Sequence, residues 1–108
     1  MVAELPAPRV AEKMKAHPEA VVLLDVREPW ERELAVIEPS IHIPMNDVPE
    51  RVEELPHDRE IVVYCHGGTR SAMIAAFLEA HGFTDVGNLH GGIAAWSRTV
   101  DPKVPQYE

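Results

Sequence analysis

Residues 21–26 read Val21-Val22-Leu23-Leu24-Asp25-Val26, a run that is apolar at every position except Asp25. A second run of this kind, Ile61-Val62-Val63-Tyr64, lies further along the chain. Strands that are apolar at successive positions are buried on both faces, which is typical of a parallel sheet covered by helices. We therefore expect these two runs to form central strands of a parallel sheet.

Shorter apolar segments are candidates for the remaining strands of this sheet. They are Ile41–Ile43, Asp85–Leu89 and Val2–Leu5. Helices are predicted between the strands, several of them starting at or near a proline, in the segments Pro8–His17, Pro29–Val36, Val48–Leu55, Ser71–His81 and Gly92–Arg98. This alternation of strands and helices predicts an α/β layered domain with right-handed crossovers.

The clearest of the predicted helices is Ser71–His81, because residues 72–78 are all apolar. Ser71 is expected to cap its first turn, and Gly82 is expected to end it in the left-handed conformation. Ligands of parallel sheets bind at the carboxyl ends of the strands. The loop between Tyr64 and this helix is therefore where we expect the functional site.

Composition and charge narrow the classes of function. The 108 residues suit a single domain over residues 1–108, with ordinary apolar and charged fractions of 45 % and 26 %. A net charge of −8 leaves few basic residues for a surface that follows phosphates, so no nucleic-acid partner is expected. We expect a cytoplasmic protein with no membrane partner, because a long apolar run and a signal peptide are both missing. An anionic substrate would require a local positive site.

The loop after the second apolar run reads Cys65-His66-Gly67-Gly68-Thr69-Arg70-Ser71. Its two glycines permit backbone angles that other residues resist, and a tight loop in such angles can turn successive N–H groups inward to bind an anion. The helix that begins near Ser71 directs its positive end at the same place, and Arg70 adds a permanent positive charge. These features favour the thiolate form of Cys65 and predict a nucleophilic cysteine.

Structural interpretations compete with this prediction. Cys65 is the only cysteine, so it forms no internal disulfide and is either a packing residue or a nucleophile. The two glycines, the arginine and the helix start favour the nucleophile. Arg70 can form an ion pair with Asp25, Glu28 or Glu31, which does not exclude a functional role.

The histidines and the large aromatic residues are weaker indicators of a functional site than the loop is. His66 either assists proton transfer or is simply solvated. The six histidines show no metal-ligating spacing, so no metal site is predicted. The large aromatic residues are expected in the core rather than against a ligand, namely Trp30, Trp96, Phe77 and Phe83.

Three segments, in their order along the chain, resemble motifs of the rhodanese domain, a sulfurtransferase family. Residues 22–31 contain Asp25-Val26-Arg27 and Glu31 and resemble the early D-V-R-x-x-x-E motif. Residues 65–71 resemble the active loop C-x-x-G-x-R-S, and residues 89–96 resemble the late G-G-x-x-A-W motif. The resemblance covers almost the whole chain. It implies a three-layer α/β domain with a central, mainly parallel sheet of about five strands flanked by helices.

The resemblance implies sulfur transfer through a persulfide on Cys65. The thiolate takes the outer sulfur of a small anionic donor such as thiosulfate, and a thiophilic acceptor, cyanide or a thiol, then removes that sulfur. Backbone N–H groups of the loop are implied to hold the persulfide, namely those of His66, Gly67, Gly68, Thr69, Arg70 and Ser71. Asp25, Arg27 and Glu31 are implied to support the site from behind. Cofactors and metal ions are not implied.

Two features of the sequence bear on the reaction and its substrates. Related phosphatases have five residues between cysteine and arginine, whereas four separate Cys65 from Arg70, which favours sulfur transfer over phosphate hydrolysis or arsenate reduction. The segment Val36–Pro44 lacks the glycines usual for the family, so an altered loop is expected at the substrate rim.

The C-terminal segment Asp101–Tyr107 resembles the ending of rhodanese domains fused to enzymes that activate sulfur-carrier proteins. This resemblance makes a sulfur-carrier protein a candidate acceptor. A non-catalytic persulfide carrier or interaction module remains the alternative to an enzyme, since the sequence does not distinguish their rates and partners.

Overall fold

The computed structural model describes residues 2–108, and a five-stranded sheet lies at its centre. The strands are β1 (Ala3–Leu5), β2 (Val21–Asp25), β3 (Ile41–His42), β4 (Glu60–Tyr64) and β5 (Val86–Leu89). Their order across the sheet is β1-β5-β4-β2-β3, and all neighbouring pairs are parallel. The two apolar runs form the adjacent strands β2 and β4, which confirms the predicted parallel α/β sheet.

Helices cover both faces of this sheet. They are α1 (Ala7–Ala16), α2 (Pro29–Leu34), α3 (Val48–Arg51), α4 (Thr69–Ala80) and α5 (Gly92–Thr99). The predicted helix Val48–Leu55 is shorter than expected, because only α3 is α-helical and 3₁₀ turns flank it at Met45–Asp47 and Val52–Glu54. In the part of the chain that the structure describes, no helix has both the length and the apolar character needed to cross a membrane.

The alternation of side chains along the central strands explains the three layers. Leu24 of β2 and Val63 of β4 face one side of the sheet, where they pack in a buried cluster with Leu78 of α4. Leu23 and Val62 face the other side, where the second buried cluster contains residues of α1 and α5 such as Val10, Ile93 and Trp96. Each strand therefore contributes to two cores, as its unbroken apolar run indicates.

Two expectations about α4 had different outcomes. The helix begins at Thr69 rather than Ser71, because Gly68 is the N-cap residue in a left-handed conformation. Ser71 is therefore not the cap but lies within the first turn, where its side chain contacts Cys65. The expected end of the helix is confirmed, because Gly82 has a φ of +94°.

The aromatic residues are only partly in the core. Trp96 and Phe83 are buried and Phe77 is partly buried, as expected. Trp30 contradicts the expectation, because 55 % of its surface is exposed. It lies in the first turn of α2, and its ring meets the ring of Tyr107 edge to face with centroids 6.2 Å apart.

Candidate active site

The loop between β4 and α4 places Cys65 at the carboxyl end of a central strand. The residue is only 1 % exposed. Its Sγ atom accepts hydrogen bonds from the backbone N–H of Gly68 at 3.1 Å and of Ser71 at 3.4 Å, and from the Ser71 hydroxyl at 3.3 Å. Three donors at a helix N-terminus therefore converge on one sulfur atom, an arrangement that stabilises negative charge there.

Gly68 has the backbone conformation that the loop requires. Its φ of +107° favours glycine, and its N–H reaches Cys65 because of that conformation. Its carbonyl accepts hydrogen bonds from the N–H of Ala72 at 3.2 Å and from Nδ2 of Asn88 at 3.0 Å. Gly67 does not use the same freedom, since its φ is not positive.

A second helix, α5, holds the loop from the other side. The N–H groups of Ile93 and Ala94 in its first turn donate to the carbonyls of Cys65 at 2.9 Å and His66 at 3.1 Å. Since C=O and N–H point in opposite directions in a trans peptide, the N–H groups of the two following residues point away from α5. The N-terminus of α5 thus fixes the orientation of successive peptide groups in the loop.

Arg70 forms an ion pair with Glu31, which is one of the three partners that the sequence left open. Its Nη1 and Nη2 atoms lie 2.8 and 2.9 Å from the two carboxylate oxygens of Glu31, in a fork-shaped contact. The pKa of Arg70 is raised, mainly by the hydrogen bonds to Glu31 and also by the charge of nearby Cys65. The guanidinium is therefore a permanent cation that interacts electrostatically with Cys65.

Asp25 and Arg27 form a second ion pair, which is fully buried. Nε and Nη2 of Arg27 each lie 2.9 Å from one oxygen of Asp25. Burial opposes ionisation of Asp25, but its hydrogen bonds from Arg27 prevail and lower the pKa of the carboxyl. Arg32 and the hydroxyl of Tyr64 also donate to Asp25, at 3.0 and 3.2 Å. Paired and hydrogen-bonded in this way, the buried charges are compensated.

Tyr107 joins the two ion pairs and was not among the residues predicted for the site. Its hydroxyl lies 3.0 Å from Nη1 of Arg27 and 2.8 Å from Oε1 of Glu31. The resemblance of the C-terminal segment to the ending of other rhodanese domains was the one signal that pointed to it.

The remaining predicted site residues differ in their exposure and in their contacts with this network. His66 is half-buried, and its ring stacks on Tyr107. Thr69 is exposed at the start of α4. The segment 36–44, expected at the substrate rim, contacts the network through the residues that surround Asp25. The N–H of Ile37 donates to the Tyr64 hydroxyl, and Arg32 donates to the Ser40 carbonyl.

The network gives the site a positive charge within an acidic protein. Three guanidinium groups, those of Arg27, Arg32 and Arg70, are connected to only two carboxylates, those of Asp25 and Glu31. The rest of the chain carries the excess of acidic residues. Counted alone, this network therefore has an excess of positive charge, which is the local feature that an anionic substrate would require in an acidic protein.

The ion pair between Glu31 and Arg70 predicts a specific pH dependence of stability. Burial raises the pKa of Glu31, but hydrogen bonds from Arg70, the Glu28 N–H and Tyr107 prevail and lower it from 4.5 to about 2. A carboxyl whose pKa is depressed by folding stabilises the folded state above its unfolded pKa, and this contribution is lost as pH falls. We expect Glu31→Gln to be less stable than wild type at pH 6, with a difference that shrinks from pH 4.5 towards pH 2.

Urea denaturation of both proteins at several pH values measures this difference. Glu12→Gln on the exposed face of α1 controls for the general effect of removing an acidic residue. A difference between wild type and Glu31→Gln that stays constant from pH 6 to pH 2.5 would show that Glu31 is not held ionised by its partners.

Comparisons with known proteins agree with the fold and with the family that the sequence motifs resemble. The sequence profile described as the rhodanese-like domain matches residues 7–99. A sulfurtransferase of Allochromatium vinosum is 39 % identical over 98 residues, which cover 91 % of each chain. The thiosulfate sulfurtransferase GlpE of Pseudomonas syringae is 33 % identical over 88 residues, covering 82 % of this chain and 83 % of that protein.

Solved structures show the same architecture. A rhodanese-related protein from Thermoplasma volcanium superposes with a TM-score of 0.82 at 33 % identity, covering 91 % of this chain and 93 % of that one. The names of the sequence relatives support a transferase with a rhodanese-type role in sulfur transfer. Because the family profile matches residues 7–99, which is most of the chain, the chain belongs to the rhodanese-like domain family.

Proposed function

We propose that this protein moves a sulfane sulfur from a small anionic donor such as thiosulfate to a thiophilic acceptor through a persulfide on Cys65. One observation carries the proposal, namely that three hydrogen-bond donors converge on Sγ of Cys65. The name of the relative from Pseudomonas syringae supports thiosulfate as donor.

The first step loads the cysteine. The Cys65 thiolate attacks the outer sulfur of thiosulfate, a bond forms between the two sulfur atoms, and the bond to the inner sulfur breaks. Sulfite leaves with the electron pair of that bond. The positive network behind Arg70 favours approach of the dianion, and the N–H groups of Gly68 and Ser71 compensate the negative charge that stays on the sulfur atoms.

The second step returns the enzyme to its starting state. Cyanide in an assay, or a thiolate in a cell, attacks the terminal sulfur of the persulfide, and the Cys65 thiolate leaves. Donor and acceptor thus react in separate steps through one covalent intermediate, which is the pattern of a double-displacement mechanism. The same donors serve both proposed steps. The negative charge is on Sγ of Cys65 before loading, and it returns to Sγ when the acceptor takes the terminal sulfur.

Steady-state assays test this function against the two alternatives. We expect thiocyanate to form from thiosulfate and cyanide with the kinetics of a double displacement, and Cys65→Ser to form none. Hydrolysis of p-nitrophenyl phosphate without thiocyanate formation would assign a phosphatase instead. A single turnover of sulfur without continued catalysis would assign a persulfide carrier.

A further inference from the structure

The C-terminal segment, residues 100–108, contacts the loop that carries Cys65. The segment is anchored by Val104, whose side chain is buried in the cluster around Trp96 and whose carbonyl accepts a hydrogen bond from the buried Ser97 hydroxyl at 2.7 Å. Three residues further on, the ring of Tyr107 stacks on the imidazole of His66, with centroids 4.3 Å apart and planes inclined by 17°. The buried Val104 thus places Tyr107 against the active loop.

The hydroxyl of Tyr107 has a defined polarity. A guanidinium only donates hydrogen bonds, so the phenol oxygen must accept from Nη1 of Arg27 at 3.0 Å. The single phenol proton is then donated to Oε1 of Glu31 at 2.8 Å. Burial raises the pKa of Tyr107 to about 12, so this proton stays on the phenol at neutral pH.

The carboxylate of Glu31 is consequently fixed by partners on three sides. Oε1 accepts from Tyr107 and from Nη2 of Arg70, and Oε2 accepts from Nη1 of Arg70 and from the N–H of Glu28 at 2.9 Å. Glu31 is only 3 % exposed. Its carboxylate therefore has little freedom to turn away from Arg70.

Arg70 depends on this carboxylate for its own position. Within residues 2–108, its two hydrogen bonds both go to Glu31. About a third of its side chain is exposed, at 35 %. A long, partly exposed side chain has many rotamers open to it, and ordering it beside Cys65 requires a partner that is itself fixed.

We propose that Tyr107 is a positioning residue for sulfur transfer: its hydroxyl fixes Glu31, and Glu31 holds the Arg70 cation beside Cys65. This inference rests on the proposed function, since the reaction that it serves is transfer of sulfur through Cys65. The C-terminal segment is then a functional part of the site rather than an inert end of the fold. Tyr107 acts on the charge next to the sulfur without touching the reacting atoms.

The test compares two alkylating reagents of similar size and different charge. Iodoacetate is an anion and iodoacetamide is neutral, so the ratio of their rates with Cys65 reports the positive potential at the sulfur. We expect Tyr107→Phe to lower this ratio by roughly threefold to tenfold, the size that displacement of one charge near a protein surface produces. The change should move the ratio towards that of Arg70→Gln. The kcat/KM for thiosulfate should fall by a similar factor, mainly through KM.

Two controls separate positioning from general loosening of the fold. Gln106→Ala changes the exposed neighbour of Tyr107 in the same segment and should leave the ratio at the wild-type value. In a Glu31→Gln background, Tyr107→Phe should have no further effect on the ratio, because the hydroxyl acts through the Glu31 carboxylate. All variants are measured below their melting transitions, so that the rates belong to the folded protein.

Each outcome bears on the proposal. A Tyr107→Phe protein in which both reagents react faster or slower by the same factor would assign Tyr107 a purely structural role and overturn the inference. Unchanged rates would overturn it as well, and so would an undiminished effect in the Glu31→Gln background. If wild type fails to turn over thiosulfate, the proposed function fails, while the ratio of alkylation rates still decides whether Tyr107 positions Arg70.

Discussion

Gly92→Ala is expected to lower the rate of sulfur transfer by on the order of 100-fold, the loss that a shift of about 1 Å at a reacting group can cause. Gly92 has a φ of +62°, and a Cβ atom on it would lie 2.5 Å from the carbonyl oxygen of Cys65 and 2.4 Å from that of His66. Contacts this short with backbone atoms force the loop to move away from α5. The hydrogen bonds from Ile93 and Ala94 to these two carbonyls would be lost with that movement.

A matched substitution separates the clash from the backbone strain. Gly82 has a φ of +94° and open space around its missing Cβ, and it lies at the opposite end of α4 from the loop. Gly82→Ala should therefore show the backbone cost alone, about 1–3 kcal/mol of stability, and retain turnover. Thermal melts and steady-state rates of both variants measure the two effects. Retained turnover in Gly92→Ala would mean that the α5 contact does not fix the loop.

Gly68→Val is expected to cause a loss of similar size by a different route. A β-branched residue resists the φ of +107° at this position, so the N–H of residue 68 would turn away from Sγ of Cys65. Removing one donor from a preorganised anion site costs about 100-fold to 1000-fold in kcat in the best-studied enzymes. A Cβ at this position would also approach the N–H nitrogen of Gly91 to 3.3 Å.

The control for this variant is Gly82→Val, which imposes the same unfavourable backbone conformation away from the site. Both variants should lose about 1–3 kcal/mol of stability, because the strain is local in each. Only Gly68→Val should lose turnover. Comparable turnover in the two proteins would show that the N–H of Gly68 is not needed for the reaction.

The sheet and the loop could be predicted because their signals are local in the sequence. Unbroken apolar runs identify strands buried on both faces, and Leu23 and Leu24 of β2 do face opposite cores. The loop could be located because it follows one of those strands. The start of α4 could not be placed from the residues alone, since Ser71 is a good capping residue and the left-handed Gly68 takes that position instead.

The polar network could be predicted only in part, because its contacts join distant segments. The sequence offered three candidate acidic partners for Arg70. In the structure Arg70 pairs with Glu31, whereas Asp25 pairs with Arg27 and Arg32. Tyr107 lies 76 residues from Glu31 along the chain, and no periodicity or motif spacing connects the two. The role of Gly92 could not be predicted either, because the residues that it approaches in space, Cys65 and His66, belong to another loop.

Intact-mass spectrometry before and after addition of thiosulfate tests the central claim, that Cys65 carries the transferred sulfur. Without an acceptor, wild type should gain the mass of one sulfur atom, and cyanide should remove it. Since Cys65 is the only cysteine, no second thiol in the chain can resolve the persulfide as a disulfide. Cys65→Ser should never gain the mass. A wild-type protein that turns over thiosulfate but never shows the added sulfur, even after rapid quenching, would contradict the covalent mechanism.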